Sequence, residues 1–433
     1  MNFRAAWRAL RGLEHKASKT HPILVTYGVG QEKATPKDYA QFAQEGYQKS
    51  VIVYRCIEMI SNNAAAVPWV LKSKRDRKEI EKHPLLDLLQ RPNPLQGGAE
   101  FFKSVYAFYL ISGNSYVENI TARKLPKELW ALRPDRVRVV PDAKGMPKSY
   151  TYKVGGRSVT FQVDPVTGLS NEILHVKSFH PLDDWYGMSA IEAASFSIDQ
   201  HNEAGKWNAR LLGNSARASG ALIYKPDGDM PSTLTEQQRA ALRSEIEQFS
   251  SGGNNAGRPM VLEGGLDWRE MSLSPKDMDW LAGKDVSARE VALTFGVPPQ
   301  LVGIDGSLTF ANFEQARMAL YDDAVLPLVD KIKDELNRWL CPMFGDDVTL
   351  EYDADDIQAL EPRRKEKWES VKTADFLTIN EKRAALGYDP IDSGDLLLVN
   401  AGAVPLETVF EGEDSAVEAA ASAEEAYGDN SQE

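Results

Sequence analysis

The sequence predicts an α+β protein, because helical and strand periodicities occupy separate blocks of its 433 residues. Apolar residues spaced three and four apart predict helices over about 46–68, 83–90 and 98–112. The period then changes to two, in six short runs that end near residue 183. Helical spacing returns from about residue 190. A chain of this length exceeds one ordinary hydrophobic core, so two or more domains or subregions are expected.

The six strand-like runs are rich in β-branched and aromatic residues, and turn residues separate them. They are SYVENIT, ELWALRP, RVRVVPD, SYTYKV, SVTFQV and EILHVKS. Together they predict a β-rich layer packed on the N-terminal helices. Two more strands are predicted outside this block, in WVLKSK and in DVTLEYDAD.

The central block predicts a two-helix stalk with a small insert at its tip. Ser189 and Glu192 are spaced as a capping box at the head of a helix over about 190–212. A second helix, over about 274–295, begins with the Ser-Pro pair that favours a helix start. Between them, residues 216–273 read as a βαββ insert. Because this insert begins and ends at nearly the same place, the two helices should run side by side.

An unusually apolar loop follows the stalk, in the stretch FGVPPQLVGIDGSLTFANFEQ at 295–315. Surface loops are usually polar, because their unpaired backbone groups meet water. This loop instead carries Leu301, Val302 and Ile304 beside two prolines. We expect it to face neither bulk water nor an ordinary core. An ordinary buried helix–helix connection is the alternative.

A long helix is predicted beyond the loop, capped by Asn312 and reaching Leu340 over about 28 residues. Apolar residues line one of its sides and charged residues the other. Pro327 lies inside it and predicts a kink, because the proline ring clashes with the carbonyl group four residues earlier.

The net charge of −13 argues against a protein that grips nucleic acid by its phosphates. Residues 411–433 contain eight acidic residues and no Lys or Arg, and predict a disordered tail. The basic N-terminal stretch is expected to be a loose arm. Cys56 and Cys341 lie in apolar patterns, so they are expected to be buried free thiols in a reducing compartment. No apolar run reaches the length of a membrane span.

Side chains suited to catalysis or metal binding form no known motif. None of the six histidines lies in a metal-ligand spacing, and the sequence has neither a GxSxG elbow nor a P-loop. His175 and His180 flank one predicted strand and are expected to make structural hydrogen bonds. Four aspartate pairs could do acid–base chemistry or hold a metal, although in an acidic protein they are usually solvated corners or helix caps. They are Asp183-Asp184, Asp322-Asp323, Asp346-Asp347 and Asp355-Asp356.

The prediction therefore names no catalytic residue, cofactor or metal, and expects a protein that is not an enzyme. An enzyme of unusual type that uses the aspartate pairs, such as a nuclease or transferase, stays as an alternative.

The stalk suggests a ring, because one copy alone would expose too much apolar helix surface. Copies packed around an axis would bury their stalks against each other, and a head-to-tail interface that closes makes a ring. The apolar loop would then lie at the inner wall and face a lumen.

Several motifs resemble one family in their joint order and spacing. They are SVIVYRCIEMISNNAAAVPW, ISGNSYVENI with LWALRPDRVRVVPD, ILHVKSFHPLDDWYGMSAIEAA, NSARASGALIY, RPMVLEGGLDWREMSLSPKDMDWL, VALTFGVPPQLVG, FANFEQARMALYDDAVLPLVDKIKDELNRWL and LTINEKRAALGYDP. Over about residues 45–400 the chain resembles the portal proteins, or head-to-tail connectors, of tailed phages. It resembles most the branch found in lambda-like long-tailed phages and gene transfer agents.

The resemblance implies an α+β, portal-type fold with a wing, a helical stem, a small α/β clip, a kinked tunnel helix and a helical crown, assembled as a ring-shaped homo-oligomer. The expected parts are the N-terminal arm at 1–45, wing at 46–186, stem helix at 187–214, clip at 215–273, stem helix at 274–296, tunnel loop at 297–311, tunnel helix at 312–343, wing strand at 344–357, crown at 358–408 and acidic tail at 409–433.

The resemblance also implies a dodecameric ring at one capsid vertex, through which double-stranded DNA enters and leaves without sequence recognition. Its expected partners are further copies of itself, the terminase large subunit, the major capsid protein and head-completion or adaptor proteins, with no membrane. It would be found in the virion, and in the host cytoplasm during assembly. Another ring-forming virion adaptor or a minor capsid protein is the alternative. The candidates for the constriction around DNA are Pro298, Pro299, Gln300, Leu301, Val302, Ile304 and Ser307.

Overall fold

The computed structural model describes residues 36–122, 125–142, 145–213, 220–224, 235–250, 266–270, 280–304, 310–345 and 347–395. They fall into two compact units, the first ending at Asp353 and the second beginning at Ala354. Helices and sheets are both present throughout the first unit, which confirms the predicted α+β class.

The first unit opens with helical turns where the sequence analysis placed the end of a loose arm at 1–45. Helix α1 spans Pro36–Gln41, a π-helical segment spans Phe42–Gln48, and helix α2 spans Val51–Ala65. Tyr39 and Phe42 are only 7% and 3% exposed, so the arm prediction is wrong for 36–45. Their three-residue spacing puts both rings on one helix face. The sequence did not predict this helix, because two apolar residues next to charged ones are too few to show a helical period. Residues 1–35 lie outside the described residues.

Three helices form the layer under the sheets, joined by one short strand. After α2 come strand β1 (Trp69–Ser73), helix α3 (Pro84–Gln90) and helix α4 (Gly98–Ser112). Helices α2 and α4 pack together along the apolar stripes that predicted them. Polar contacts add to this packing at the surface. Glu58 on α2 accepts hydrogen bonds from the Tyr47 hydroxyl at 2.7 Å and from the Lys103 ammonium on α4 at 2.8 Å. Burial raises the pKa of Glu58, but these hydrogen bonds outweigh it and leave that pKa below its ordinary value.

All six predicted strands of the wing block are present. They are β2 (Asn114–Ala122), β3 (Leu125–Leu132), β4 (Val137–Pro141), β5 (Pro147–Val154), β6 (Arg157–Gln162) and β7 (Ile173–Lys177). They form two antiparallel three-stranded sheets, ordered β3-β2-β7 and β4-β5-β6. One apolar cluster joins the sheets, and it consists of Tyr116, Leu132, Val137, Tyr150, Phe161 and Ile173.

The stalk and insert follow. They comprise α5 (Ala190–Ala193), α6 (Ser195–Gly213), β8 (Gly220–Tyr224), α7 (Glu236–Ser250), β9 (Leu266–Glu270) and α8 (Trp280–Thr294). As predicted, α6 and α8 pack side by side, and the Ser197 hydroxyl donates a 2.6 Å hydrogen bond to Glu290. Strands β8 and β9 pair antiparallel, so the insert does return to its starting point. The Ser-Pro helix start and the predicted strand PMVLEGG lie outside the described residues.

The predicted long helix is present but interrupted. It consists of α9 (Phe310–Leu320), a π-helical segment (Tyr321–Val325), α10 (Leu326–Trp339) and the short α11 (Cys341–Phe344). Asn312 lies within α9, so its predicted capping role is wrong. The cap was misplaced because an Asn-x-x-Gln spacing marks a possible helix start and cannot show whether the helix begins earlier.

Strand β10 (Val348–Tyr352) closes the first unit by pairing antiparallel with β1. Leu71 lies opposite Leu350, and neither has any exposed surface. The Asn337 side chain on α10 bonds both backbone groups of Leu350, accepting from N–H at 2.7 Å and donating to the carbonyl at 2.8 Å. The long helix is thereby fixed to the first strand of the chain.

The second unit is helical as far as it is described. It contains a 3-10 turn (Gln358–Leu360), helix α12 (Glu361–Thr373) and helix α13 (Ile379–Ala385). Thr378 caps α13: its hydroxyl accepts from Glu381 N–H at 3.2 Å, and Glu381 accepts from Thr378 N–H at 2.8 Å. This is a capping box.

Two expectations from composition can be checked. Cys56 and Cys341 are buried free thiols, and burial raises their pKa values to about 12 and about 11, which keeps both protonated. Among the helices that the structure describes, none has the length and apolarity that crossing a bilayer requires.

The joint between the sheets and the stalk is a close backbone crossing at two glycines. Gly113 ends α4 with φ 71°, and a Cβ there would lie 2.5 Å from the Met188 carbonyl oxygen. A Cβ on Gly187 would lie 2.5 Å from Ser178 N and closer still to the Gly113 carbonyl oxygen. Only glycine at both positions lets the two segments approach this closely.

Gly187→Ser is expected to destabilise the protein by about 1–3 kcal/mol, because the added atoms must displace backbone. Gly97→Ser is the matched control: no atom lies within 4 Å of the added Cβ, and serine suits its N-cap position. Urea unfolding of both variants measures the difference. Equal stability of the two would show that the crossing tolerates a side chain.

Candidate functional site

The segment between α8 and α9 forms a 3-10 turn in place of the irregular loop that the sequence predicted. Residues Pro299–Val302 make the turn, with Pro298 before it and Gly303 after it at φ 77°. Leu301 N–H donates to the Pro298 carbonyl at 3.0 Å, and Ile304 N–H donates to the Pro299 carbonyl at 3.2 Å. Pro299 starts the turn because its φ is already fixed near the helical value.

The candidate residues of this segment are partly exposed in a single copy of the chain. Pro298, Pro299, Gln300, Leu301, Val302 and Ile304 are all half-buried. Val297 just before them is buried, and the turn packs on α2, α8 and α9. Ser307 lies outside the described residues. The aliphatic groups therefore keep apolar surface that a further contact could cover.

The long helix is interrupted directly beside this turn. Gly296, at φ 67°, ends α8 against the π-helical segment: a Cβ there would lie 3.5 Å from the Ala324 side chain and 3.6 Å from the Asp323 carbonyl oxygen. Leu326 N–H bonds to the Tyr321 carbonyl, five residues back. Pro327 follows at the first turn of α10. The break in α-helical bonding thus lies just before Pro327, and the predicted kink at that residue stays a prediction.

The stalk carries an exposed apolar surface next to the turn. Val286 and Leu293 on α8 are 53% and 78% exposed, and Phe196 on α6 is 69% exposed. Val286, Glu290 and Leu293 share one face of α8 by their spacing of four and three residues. Ser197 bonds Glu290, so its neighbour Phe196 lies at the level of this face along the stalk, and we call the three exposed apolar residues the seam. Large exposed apolar groups along one seam mark an interaction surface.

The described aspartate pairs do not form a catalytic arrangement. Asp183 accepts hydrogen bonds from Trp185 N–H at 2.9 Å and Tyr186 N–H at 3.1 Å, as a turn-capping residue does. Asp322 and Asp323 are exposed on the π-helical segment. Within the described residues, no three acidic, histidine or cysteine side chains converge as metal ligands would.

His175 has a structural role, although not the backbone contact expected from sequence. Its Nε2 lies 3.0 Å from the Asn114 side-chain oxygen, and its ring stacks on Tyr116 at 4.3 Å and meets the edge of Tyr150 at 5.6 Å. Burial, with a smaller contribution from the Lys177 charge, lowers the pKa of His175 from 6.5 to about 3. No local pattern in the sequence indicates this contact, because Asn114 lies 61 residues from His175.

The described fold thus combines side-by-side stalk helices, a strand β10 that pairs with β1 and an interrupted long helix, and its solved neighbours are portal proteins of phage and gene transfer agent particles. The sequence model of the Phage portal protein family matches residues 51–387. The chain belongs to the phage portal protein family. Its role is that of a portal, the general role of which is to form the DNA packaging channel.

Related sequences agree with this assignment. The chain is 41% identical to an uncharacterized protein of Rickettsia bellii over 353 residues, covering 82% of this chain and 90% of the relative. It is 24% identical to the portal protein of Enterobacteria phage HK97, with 82% of each chain covered.

Solved structures agree as well. The neck of an empty gene transfer agent particle, computed with C6 symmetry, contains a chain that is 42% identical, with a TM-score of 0.66, covering 84% of this chain and 97% of that one. The neck of the native particle, computed with C12 symmetry, contains one that is 41% identical, with a TM-score of 0.64 and the same coverage.

His175 should make stability depend on acid pH. Its pKa in the folded state lies below the ordinary value of 6.5, so between about pH 3 and 6.5 the folded protein binds fewer protons than the unfolded chain. The stability that depends on neutral His175 is complete above that window and is lost as pH falls through it. His175→Gln is expected to remove up to about 1.4 kcal/mol per pH unit of this dependence.

Urea unfolding at several pH values measures that slope. His180→Gln is the control, because His180 is a partly exposed histidine whose Nδ1 accepts a local hydrogen bond from Leu182 N–H. If the stability of His175→Gln depends on pH as steeply as that of the parent, the pH dependence does not come from His175.

Proposed function

We propose that about twelve copies of this chain close into a ring at one capsid vertex, and that the ring is the conduit for double-stranded DNA. The observation that carries the proposal is the exposed apolar seam of the stalk, Phe196 with Val286 and Leu293. Packing each seam against the neighbouring copy would remove it from water, and a head-to-tail contact between identical copies makes a ring where its rotation closes. The C12 symmetry of the related neck structure supports the number.

The 3-10 turn at 298–304 would line the narrowest part of the bore. It joins the end of the stalk to the start of the long helix, and its apolar groups stay half-buried in one copy. Apolar groups give a wall that can lie close to DNA without holding it, because they offer phosphates neither a charge nor a hydrogen bond. The exposed carboxylates of Asp322 and Asp323 lie on the adjoining segment and repel phosphates.

The other parts of the subunit are proposed with the bounds that the resemblance to portal proteins implies. The wing would comprise 46–186 with the strand at 344–357, the stem 187–214 and 274–296, the clip 215–273 and the crown 358–408. We propose that the clip meets the terminase large subunit during packaging and head-completion proteins afterwards, and that the major capsid protein surrounds the ring. The chain would act structurally and not as a catalyst, in the virion and in the host cytoplasm during assembly.

Leu293→Glu combined with Phe196→Glu is expected to abolish the ring, because burying unpaired carboxylates costs far more than the lost apolar contact. Val166→Glu is the control, since Val166 is 90% exposed on a wing turn. Light scattering measures the assembly: a ring of about twelve 48.1 kDa chains has a mass of about 0.6 MDa. If electron micrographs of the double variant still show a stacked ring, the proposed interface is wrong.

Val302→Lys is expected to slow DNA uptake into particles, because a circle of added ammonium groups favours phosphate binding through counterion release. The deficit should shrink as salt is raised. Val302→Glu is the matched variant, with a side chain of similar reach and opposite charge, and Val166→Lys tests the same charge on the wing. The measurement is packaged DNA per particle over time. If Val302→Lys and Val302→Glu slow DNA uptake equally, the proposal that Val302 lines the bore is wrong.

A further inference from the structure

Helix α12 is a basic helix in an acidic chain. None of its 13 residues is buried. Five of them are Lys or Arg and three are Glu, so the helix carries a net charge of +2 while the chain carries −13. A helix with no apolar stripe is not held by a core, so its charged faces are available for contacts.

Its basic residues share a face with exposed aromatic rings. Arg364, Trp368 and Lys372 follow each other at intervals of four residues, which places them along one side of the helix. Trp368 is 47% exposed and meets the ring of Tyr388 edge-on at 6.1 Å. The Arg383 guanidinium lies 5.6 Å from the centre of the Tyr388 ring. We call these five residues the basic–aromatic face.

The two guanidinium groups of this face donate hydrogen bonds to main-chain carbonyls. Arg364 donates to the Asp355 carbonyl at 2.6 Å, and Arg383 donates to the Asp389 carbonyl at 2.8 Å. Both acceptors are neutral main-chain groups, so the bonds fix the guanidinium groups without neutralising them. A ligand for this face should therefore be anionic and should also offer apolar groups to Trp368 and Tyr388.

We propose that the acidic segment 411–433 of the chain itself binds the basic–aromatic face. This segment supplies eight carboxylates with no Lys or Arg, and alanines and Tyr427 stand between them. Glu411 follows Asp395 by sixteen residues, which can span up to about 50 Å, whereas α12 is only about 20 Å long. Tethering also gives the segment an effective concentration on the order of millimolar.

Such a contact would keep these cations away from phosphates. Each lysine or arginine that meets a phosphate releases counterions and slows a sliding duplex. A carboxylate-rich segment competes for the same charges, so the chain keeps a low affinity for DNA. This inference concerns the second unit alone and does not depend on closure of the ring.

The test uses the full chain, a variant that ends at Phe410 and a labelled synthetic peptide of residues 411–433. Fluorescence anisotropy is expected to show salt-sensitive binding of the peptide to the shortened protein, at least about tenfold tighter than to the full chain, whose site is occupied. Lys372→Glu combined with Arg364→Glu should weaken peptide binding at least about tenfold. Lys78→Glu with Lys82→Glu, two exposed lysines of the first unit, should leave it unchanged.

A duplex of about 30 base pairs is the second probe. The shortened protein is expected to bind it more tightly than the full chain does, and the Lys372 and Arg364 substitutions should cancel that gain. Equal DNA binding by both chains together with no peptide binding would overturn the proposal and leave an open DNA-binding face. Peptide binding that survives the two substitutions would overturn it too. Light scattering on every variant separates these results from a failure of ring assembly.

Discussion

The structure depends on one buried amide, the side chain of Asn114 at the joint between helix α4, the first wing sheet and the stalk. Its oxygen accepts hydrogen bonds from Gly187 N–H at 2.8 Å and faces His175 Nε2 at 3.0 Å. Its nitrogen donates to the Ser112 carbonyl at 2.8 Å and the Gly187 carbonyl at 3.2 Å. A buried amide with every group satisfied holds its neighbours in one arrangement, because any displacement strands a polar group away from water. The head of the stalk is fixed to the same place, since the Ser189 hydroxyl donates to the Ile111 carbonyl at 2.7 Å and accepts from Ile191 N–H at 3.0 Å.

A second set of contacts fixes the far end of the long helix while its beginning is held more loosely. The Trp339 indole donates to the Ser170 carbonyl at 2.6 Å, and Asn337 bonds both backbone groups of Leu350. Helix α10 is thereby joined to the wing at its C-terminal turn. Helix α9 has mostly exposed residues in its first turns, where it leaves the 3-10 turn. In the ring that we propose, the C-terminal end of α10 would lie in the outer part and the exposed first turns of α9 nearer the axis.

The elements that sequence predicted well are those whose evidence is local. The six wing strands and the helix start at Ser189 each follow from a few neighbouring residues. The pairing of β1 with β10 joins residues about 280 positions apart, so only the family resemblance placed both strands in one region. The Asn114–His175 contact could not be predicted either, because the two residues lie 61 positions apart. The helical start at Tyr39 and Phe42 was missed because two aromatic residues make too short a pattern. At the candidate site, sequence located the apolar segment but not its 3-10 turn, since proline is equally common in open loops.

The π-helical segment before Pro327 shows why the long helix changes there and not elsewhere. In a continuous α-helix the ring of Pro327 would collide with the Asp323 carbonyl, and that carbonyl would also lose its N–H partner. One widened turn moves the carbonyl aside, and Leu326 N–H instead reaches the Tyr321 carbonyl. Gly296 lies beside this turn and has φ 67°, a backbone conformation that favours glycine. Because the α-helical bonds are already exchanged at this position, a bend here breaks no further ones. We therefore expect any bend of the long helix to fall at Tyr321–Val325, next to the wall that we propose DNA passes.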